Sequence, residues 1–343
     1  MLRKVFLLGL IYFLLVGAAS AQDPQFSQYY QAPLYLNPGF TGITPQQRLT
    51  FNHRLQWPNL PQAFSTFSAS YDIWVDELKS GFGVLATTDK MGSAGWRTTT
   101  VSLLYSYKLR VNNKLVFSPG LSFGYGINGL DRSKLSLGDG LEFNGQSLDP
   151  ALNKLGSQQY FDFSAGFIVY SKIFWIGGAF NHMNQPNMSV LNDVARLPMK
   201  VTVHGGARIP LTGSLRTSSS VSYLTPSFIY QVQGPISQLN VGLNYHIDPV
   251  SIGFWYRGKP FQQNAIGSIN HDALIIQLGI YLEKMTVGYS YDFNISQLST
   301  ASGGAHEISL MYEFSAKPIH RGVKKRNRLI PCPTGNRQAG FWK

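Results

Sequence analysis

Between residues 48 and 314 apolar and polar positions alternate along the chain. Met285, Val287, Tyr289, Tyr291 and Phe293 interleave with Thr286, Gly288, Ser290, Asp292 and Asn294. Ile308, Leu310, Tyr312 and Phe314 interleave with Glu307, Ser309, Met311 and Glu313. Phe161, Phe163, Ala165, Phe167 and Val169 do so with Asp162, Ser164, Gly166, Ile168 and Tyr170. From Leu115 to Asn128 one face carries Ser118, Gly120, Ser122, Gly124, Gly126 and Asn128. A strand sends successive side chains to opposite faces, so each segment reads as a strand with one apolar and one small or polar face. Fourteen such segments are predicted: 48–56, 64–72, 80–88, 98–109, 114–128, 160–171, 173–181, 199–209, 216–230, 234–247, 250–257, 272–282, 285–294 and 306–314. Many reach the roughly 9–11 residues that a tilted strand needs to cross a bilayer.

The links alternate as well. Short ones follow even-numbered strands: Val111 to Asn113, Ser171-Lys172, Pro210 to Leu215, Asp248-Pro249 and Glu283-Lys284. Longer ones, 89–97, 129–159, 182–198, 258–271 and 295–305, follow most odd-numbered strands. Two links depart from this: Gln231–Gln233 is short for its place, and Ile73 to Lys79 is long for a turn. A soluble sandwich has no reason to alternate in this way. An outer-membrane barrel has, with short periplasmic turns, long external loops and an even strand number. The non-apolar face is rich in Gly, Ser, Asn and Thr with few charges, which suits a lumen and puts the apolar face in lipid. Trp57, Trp74, Trp96, Tyr107, Trp175, Trp255, Tyr256, Tyr291 and Tyr312 fall near segment ends, where interfacial girdles are expected. The predicted class is all-β, a transmembrane antiparallel β-barrel of about 14 strands with both termini periplasmic.

Composition adds an address. Arg3 and Lys4, the apolar run Val5–Val16 and the small residues Ala19-Ser20-Ala21 form an export signal, with maturation expected before Gln22. No Cys follows, which excludes a lipoprotein anchor. Charged residues make up 13% of the chain, about half the usual share. The net charge of +12 is concentrated at the ends. Without the two leader cations and the eight in the tail, 19 Lys/Arg face 17 Asp/Glu. A global nucleic-acid-binding role is thereby excluded. A single Cys, Cys332, excludes a disulfide framework.

The expected organisation is a signal peptide over 1–21, an N-terminal segment over 22–47, a barrel over 48–314 and a basic tail over 315–343. The segment QDPQFSQYYQAPLYLNPGFTGITPQQ has no period but many aromatics that need burial. It is expected to be either a periplasmic lead-in or a plug folded into the lumen. The apolar residues Leu130, Leu135, Leu137, Leu141 and Phe143 mark 129–159 as a packed functional loop. The tail carries Lys317, Arg321, Lys324, Lys325, Arg326, Arg328, Arg337 and Lys343 with no acid. It is either a solvated end or a docking segment for an acidic partner, and Lys324, Lys325, Arg326 and Arg328 are its candidate partner-binding residues.

No catalytic chemistry stands out. The seven His show no HxH or HExxH spacing, and no G-x-S-x-G, P-loop or paired-carboxylate motif occurs. Gly124-Tyr-Gly126-Ile-Asn-Gly129 matches G-x-G-x-x-G, but it ends a strand with no helix after it. No catalytic residue, metal site or cofactor is predicted, and the chain is read as a non-enzyme.

DPQFSQYYQAPLYLNPGFTG (23–42), NHRLQWPNL and FSTFSASYD (within 52–72), FWIGGAFNHMNQPN (174–187), LPMKVTVHGGARIPL (197–211), GYSYDFNISQL (288–298) and GGAHEISLMYEF (303–314) carry a resemblance that spans most of the chain. The chain resembles the PorP/SprF family of outer-membrane proteins of type IX secretion and gliding motility. Gly39 and Thr41 depart from the family's commoner Ala, and the tail is longer than the family pattern. The resemblance implies a bacterial outer-membrane component of the secretion machine. It implies work with periplasmic ring and lipoprotein components, and export or attachment of surface proteins that bear a C-terminal sorting domain, such as adhesins. It points to Tyr35, Asn37, Pro38, Gly42, Asp292 and Glu307 as signature positions for folding or binding. The competing expectation is a diffusion channel or transporter for small solutes.

Overall fold

The computed structural model describes residues 23–60, 63–92, 95–130, 156–190, 193–211, 222–263, 269–295 and 302–314. The leader, most of 129–159 and the tail with Lys324, Lys325, Arg326, Arg328 and Cys332 lie outside the described residues. Fourteen antiparallel strands close into a barrel. They are β1 (Gln47–Gln56), β2 (Phe64–Val75), β3 (Ser80–Met91), β4 (Trp96–Tyr107), β5 (Val116–Leu130), β6 (Ser157–Tyr170) and β7 (Phe174–Asn181). The second half comprises β8 (Lys200–Ala207), β9 (Ser222–Gln233), β10 (Ile236–Ile247), β11 (Val250–Gln263), β12 (Ile269–Tyr281), β13 (Met285–Asn294) and β14 (Ala305–Phe314). Each strand pairs with its neighbours in sequence, and β1 closes on β14 from Gln47↔Phe314 to Gln56↔Ala305. Closure leaves no sheet edge, the condition for a sheet in hydrocarbon. The two-residue pieces Leu109–Arg110 and Ile209–Pro210 continue β4 and β8 in unchanged register past Lys108 and Arg208.

All fourteen predicted segments correspond to strands, but several ends move. β2 runs to Val75, so the link to β3 is the turn Asp76–Lys79 rather than the long connection expected. β3 runs to Met91, which pairs with Trp96, so only 92–95 are left between the strands of the expected loop 89–97. Asp89-Lys90 reads as loop in the sequence because it is charged; in the barrel Asp89 turns inward and Lys90 pairs with Arg97. By the strand bounds, 131–156, 182–199 and 295–304 remain long links, whereas the predicted 258–271 shortens to 264–268.

The two faces part as the period requires. Leu103, Phe161 and Phe254 on the outer face are 61%, 66% and 62% exposed. Thr50, Ser68, Ser118, Thr202, Asn240 and Ser290 face inward and are buried. Two expectations are corrected. Trp175 and Trp255 are not girdle residues: both are buried in the lumen, 1% and 3% exposed. Strand parity decides this, because each shares a face with glycines and small polar residues. The Trp175 ring lies over Gly206 and the Trp255 ring over Gly242, where a Cβ would come within 2.4 Å and 2.1 Å. The inner face is also more charged than the sequence suggested. Arg48, Arg54, Asp72, Asp89, Lys200, Arg257, Asp292 and Glu307 are all buried there.

Candidate functional site: the N-terminal segment inside the barrel

Residues 23–46 occupy the lumen as three short turns, Tyr29–Gln31, Pro33–Leu36 and Pro38–Phe40, joined by extended links. Local chemistry sets them. Proline takes the first position of the last two, where its missing N–H costs nothing. The Asn37 side chain caps the third turn by accepting from the Gly39 N–H at 2.8 Å. Tyr29, Tyr30, Leu34, Leu36, Phe40 and Ile43 form the apolar core with Leu85, Leu104, Ile168, Trp175 and Trp255 from the wall. Tyr30 meets Trp175 edge-on at 5.5 Å. The aromatics that made this segment unusual thus fill the barrel.

Four polar anchors hold it. At the first, Ser27 sits among two arginines and two acids. Its Oγ donates to Asp292 Oδ2 at 2.7 Å and accepts from Arg54 and Arg257, each at 2.6 Å. Arg54 and Arg257 also reach Asp292, at 2.8 and 2.9 Å. The Glu307 carboxylate accepts the Ser27 and Gln28 backbone N–H groups, at 2.5 and 3.0 Å. All four side chains are buried. Such a cluster is tolerable only when every member is paired.

At the second anchor, Asn37 Nδ2 donates to the carbonyls of Phe167 and Gly178, each at 3.0 Å, and lies 3.0 Å from His204 Nε2. At the third, Arg48 binds Asp72 through two parallel bonds of 2.9 Å, and Asp72 accepts the Gly42 N–H at 2.7 Å. Gly42 has φ +59°, and a Cβ there would meet Gly81 Cα at 2.7 Å. Glycine is needed on both counts. Ser106 and Ser118 donate to the carbonyls of Thr41 and Gly39. At Gly120 the segment's backbone touches the wall, where a Cβ would lie 2.4 Å from the Pro38 carbonyl carbon.

The fourth anchor is the start of the segment. Asp23 bonds His182 Nε2 at 2.8 Å and Lys200 Nζ at 3.0 Å, while His182 Nδ1 lies 3.0 Å from Asp162. Burial alone would raise the Asp23 carboxyl, but the His182 and Lys200 charges outweigh it and hold it well below the usual carboxylate range. Burial likewise works against the His182 cation, yet Asp23 and Asp162 raise it to about 9. His182 is therefore charged at neutral pH.

The signature positions meet here. Asn37, Gly42, Asp292 and Glu307 are anchor atoms, Pro38 starts the third turn, and Tyr35 donates its hydroxyl to the Pro24 carbonyl. The sequence reading did not single out Arg48, Arg54, Asp72 or Arg257. Their signal was present: a charged residue on a face otherwise made of small polar side chains. Beside the segment lies a chamber of about 830 Å³, walled by β3–β8, floored by Asp23, Leu34 and Tyr35, and bounded by 188–190 and 194–198. Among the described residues no group of three or more His, Cys, Asp or Glu is placed to hold a metal.

The family model described as "Type IX secretion system membrane protein PorP/SprF" matches residues 18–312. No curated protein matches the sequence. Among solved structures, the toluene transporter TbuX of Ralstonia pickettii is 10% identical over 83% of this chain and 94% of that one, with a TM-score of 0.47. The P. putida toluene transporter TodX is 9% identical over 81% and 92%, with a TM-score of 0.46. The outer-membrane protein Omp33 of Acinetobacter baumannii is 10% identical over 80% and 100%, with a TM-score of 0.43.

Proposed function

This chain belongs to the PorP/SprF family of type IX secretion system membrane proteins, and from that premise we propose that it is a filled scaffold of the secretion machine rather than a pore. It supports export or surface attachment of particular secreted proteins, such as adhesins with a C-terminal sorting domain. It performs no catalysis of its own, and it docks to periplasmic ring and lipoprotein components. One observation carries this reading. The lumen is occupied by the chain's own residues 23–46, held by buried ion pairs at Ser27 and Gly42. A diffusion channel needs a continuous aqueous path, whereas here apolar packing and paired charges take that space. The basic tail, with Lys324, Lys325, Arg326 and Arg328, is the docking element on this reading, since eight cations without an acid suit an acidic partner.

Planar-bilayer recording of the pure protein, beside a secretion assay in cells lacking the gene, tests this. The wild-type protein should be electrically silent and should restore export. Large, stable single-channel currents from the intact chain, together with normal export in its absence, would establish the diffusion-channel reading instead.

A further inference from the structure

Asp89, like Glu313 on β14, is a buried acid without an ion pair among the described residues, and of the two it is Asp89 that lines the chamber. Asp23, Asp72 and Asp292 each have a cationic partner, and Glu307 holds two backbone N–H groups. Asp89, 5% exposed near the end of β3, has one neutral hydrogen bond, from Thr66 Oγ1 to Oδ1 at 2.6 Å. Among the described residues no Lys, Arg or His forms an ion pair with it. It lines the 830 Å³ chamber, along with Tyr35, Tyr160 and Trp96. A carboxylate buried without a counter-ion is costly, and a cation brought to it recovers that cost. The buried cations of the chamber, His182 and Lys200, are already engaged by Asp23 and Asp162, and Arg196, which also lines it, is exposed to solvent.

We propose that this chamber binds an organic ammonium group carried on an apolar body, with Asp89 as its counter-ion. The aromatic lining suits such a group, since ring faces attract cations and accept the attached hydrocarbon. The volume falls in the range of small-molecule sites, roughly 300–1,000 Å³. The ammonium has two possible sources, a free amine or a lysine side chain of a polypeptide, and both would meet Asp89 in the same way. The proposal rests on the barrel and its chamber, not on the secretion role, so either can fail alone.

The test is calorimetric titration of the full chain in detergent micelles with phenethylamine and its neutral counterpart 2-phenylethanol. Phenethylamine should bind at least about tenfold more tightly, the scale of one charge-assisted hydrogen bond. Asp89→Asn should abolish that preference, and Asp89→Glu should retain it. A capped Lys-containing hexapeptide and its Lys→Ala control separate the sources: tighter binding of the Lys peptide than of phenethylamine identifies polypeptide, the reverse a free amine. Equal affinity for amine and alcohol in the wild-type protein overturns the proposal without recourse to any variant. So does an unchanged preference in Asp89→Asn that still shifts mobility on boiling, or no binding of any of these compounds at millimolar concentration.

Discussion

Ser27 shows how much one small side chain can organise. Its Oγ is the common partner of Arg54, Arg257 and Asp292, and its backbone N–H belongs to Glu307. Removing one member leaves the rest buried with a partner missing. Arg54→Met should cost about 3–5 kcal/mol of barrel stability, because Asp292 and Glu307 lose their shared cation while staying buried. Urea unfolding in detergent, followed by tryptophan fluorescence, checks this; a loss below 1 kcal/mol would mean the cluster is hydrated. The Asp23–His182 contact responds to pH. The folded pKa of His182, about 9, lies above its ordinary 6.5, so its contribution is complete below about 6.5 and disappears as pH rises through 9. Asp23 is shifted the other way, so its contribution is present above the usual carboxylate range and is lost only in strong acid. Hydrogen exchange at residues 23–28 should therefore accelerate between pH 7 and 10 beyond the intrinsic base-catalysed rise. His182→Gln should remove that excess, and an identical profile in the variant would sink the assignment.

At the scale of elements, the N-terminal segment and the strands obey different rules, and this explains what was legible. Dyad alternation revealed every strand because lipid on one side and lumen on the other impose it at each residue. Strand ends were obscured where charges such as Asp89-Lys90 and Arg97 continue the ladder. The interior was harder still. Trp175 and Trp255 resemble interfacial residues by type, and only parity against Gly206 and Gly242 turns them inward. The segment 23–46 has no period because its three turns take their shape from Pro, Asn37 and the wall rather than from a repeating face. Its wall contact at Gly120 permits a selective disturbance. Gly120→Val places carbon against the Pro38 carbonyl without touching the outer face or the ladder. The barrel should still assemble and shift mobility on boiling, while trypsin or thermolysin should cut within 23–46 at least about tenfold faster, the response to some 1.4 kcal/mol of lost local stability. Unchanged protection would show that the segment is held elsewhere.

For the whole molecule, closure and sidedness are separate matters. Closure is given by the β1–β14 ladder, and a sheet without edges should resist SDS until it is boiled. Sidedness depends on which links face the cell surface, and the strands alone are symmetric in this respect. The even number of strands puts both ends of the barrel chain on one side, together with the turns Asp76–Lys79, 171–173 and 282–284. The links 182–199 and 295–304 leave from the other. Short turns in the periplasm are the general pattern of outer-membrane barrels. By that pattern, the docking proposed above expects residues 315–343 on the periplasmic side. A cysteine at Asn187, an exposed site on the 182–199 link, should react with a membrane-impermeant maleimide on intact cells. One at Ser315 should react only after lysis, with Cys332 replaced by Ser in both. If the tail docks there by charge, Ser at Lys324, Lys325, Arg326 and Arg328 should leave assembly intact but reduce co-purification of periplasmic partners. The remaining binding should weaken as salt rises, since attraction of this kind is screened over about 8–10 Å at physiological ionic strength. Labelling of Ser315 but not Asn187 on whole cells would invert the barrel. Normal co-purification and export by the Ser variant would leave the tail a solvated end.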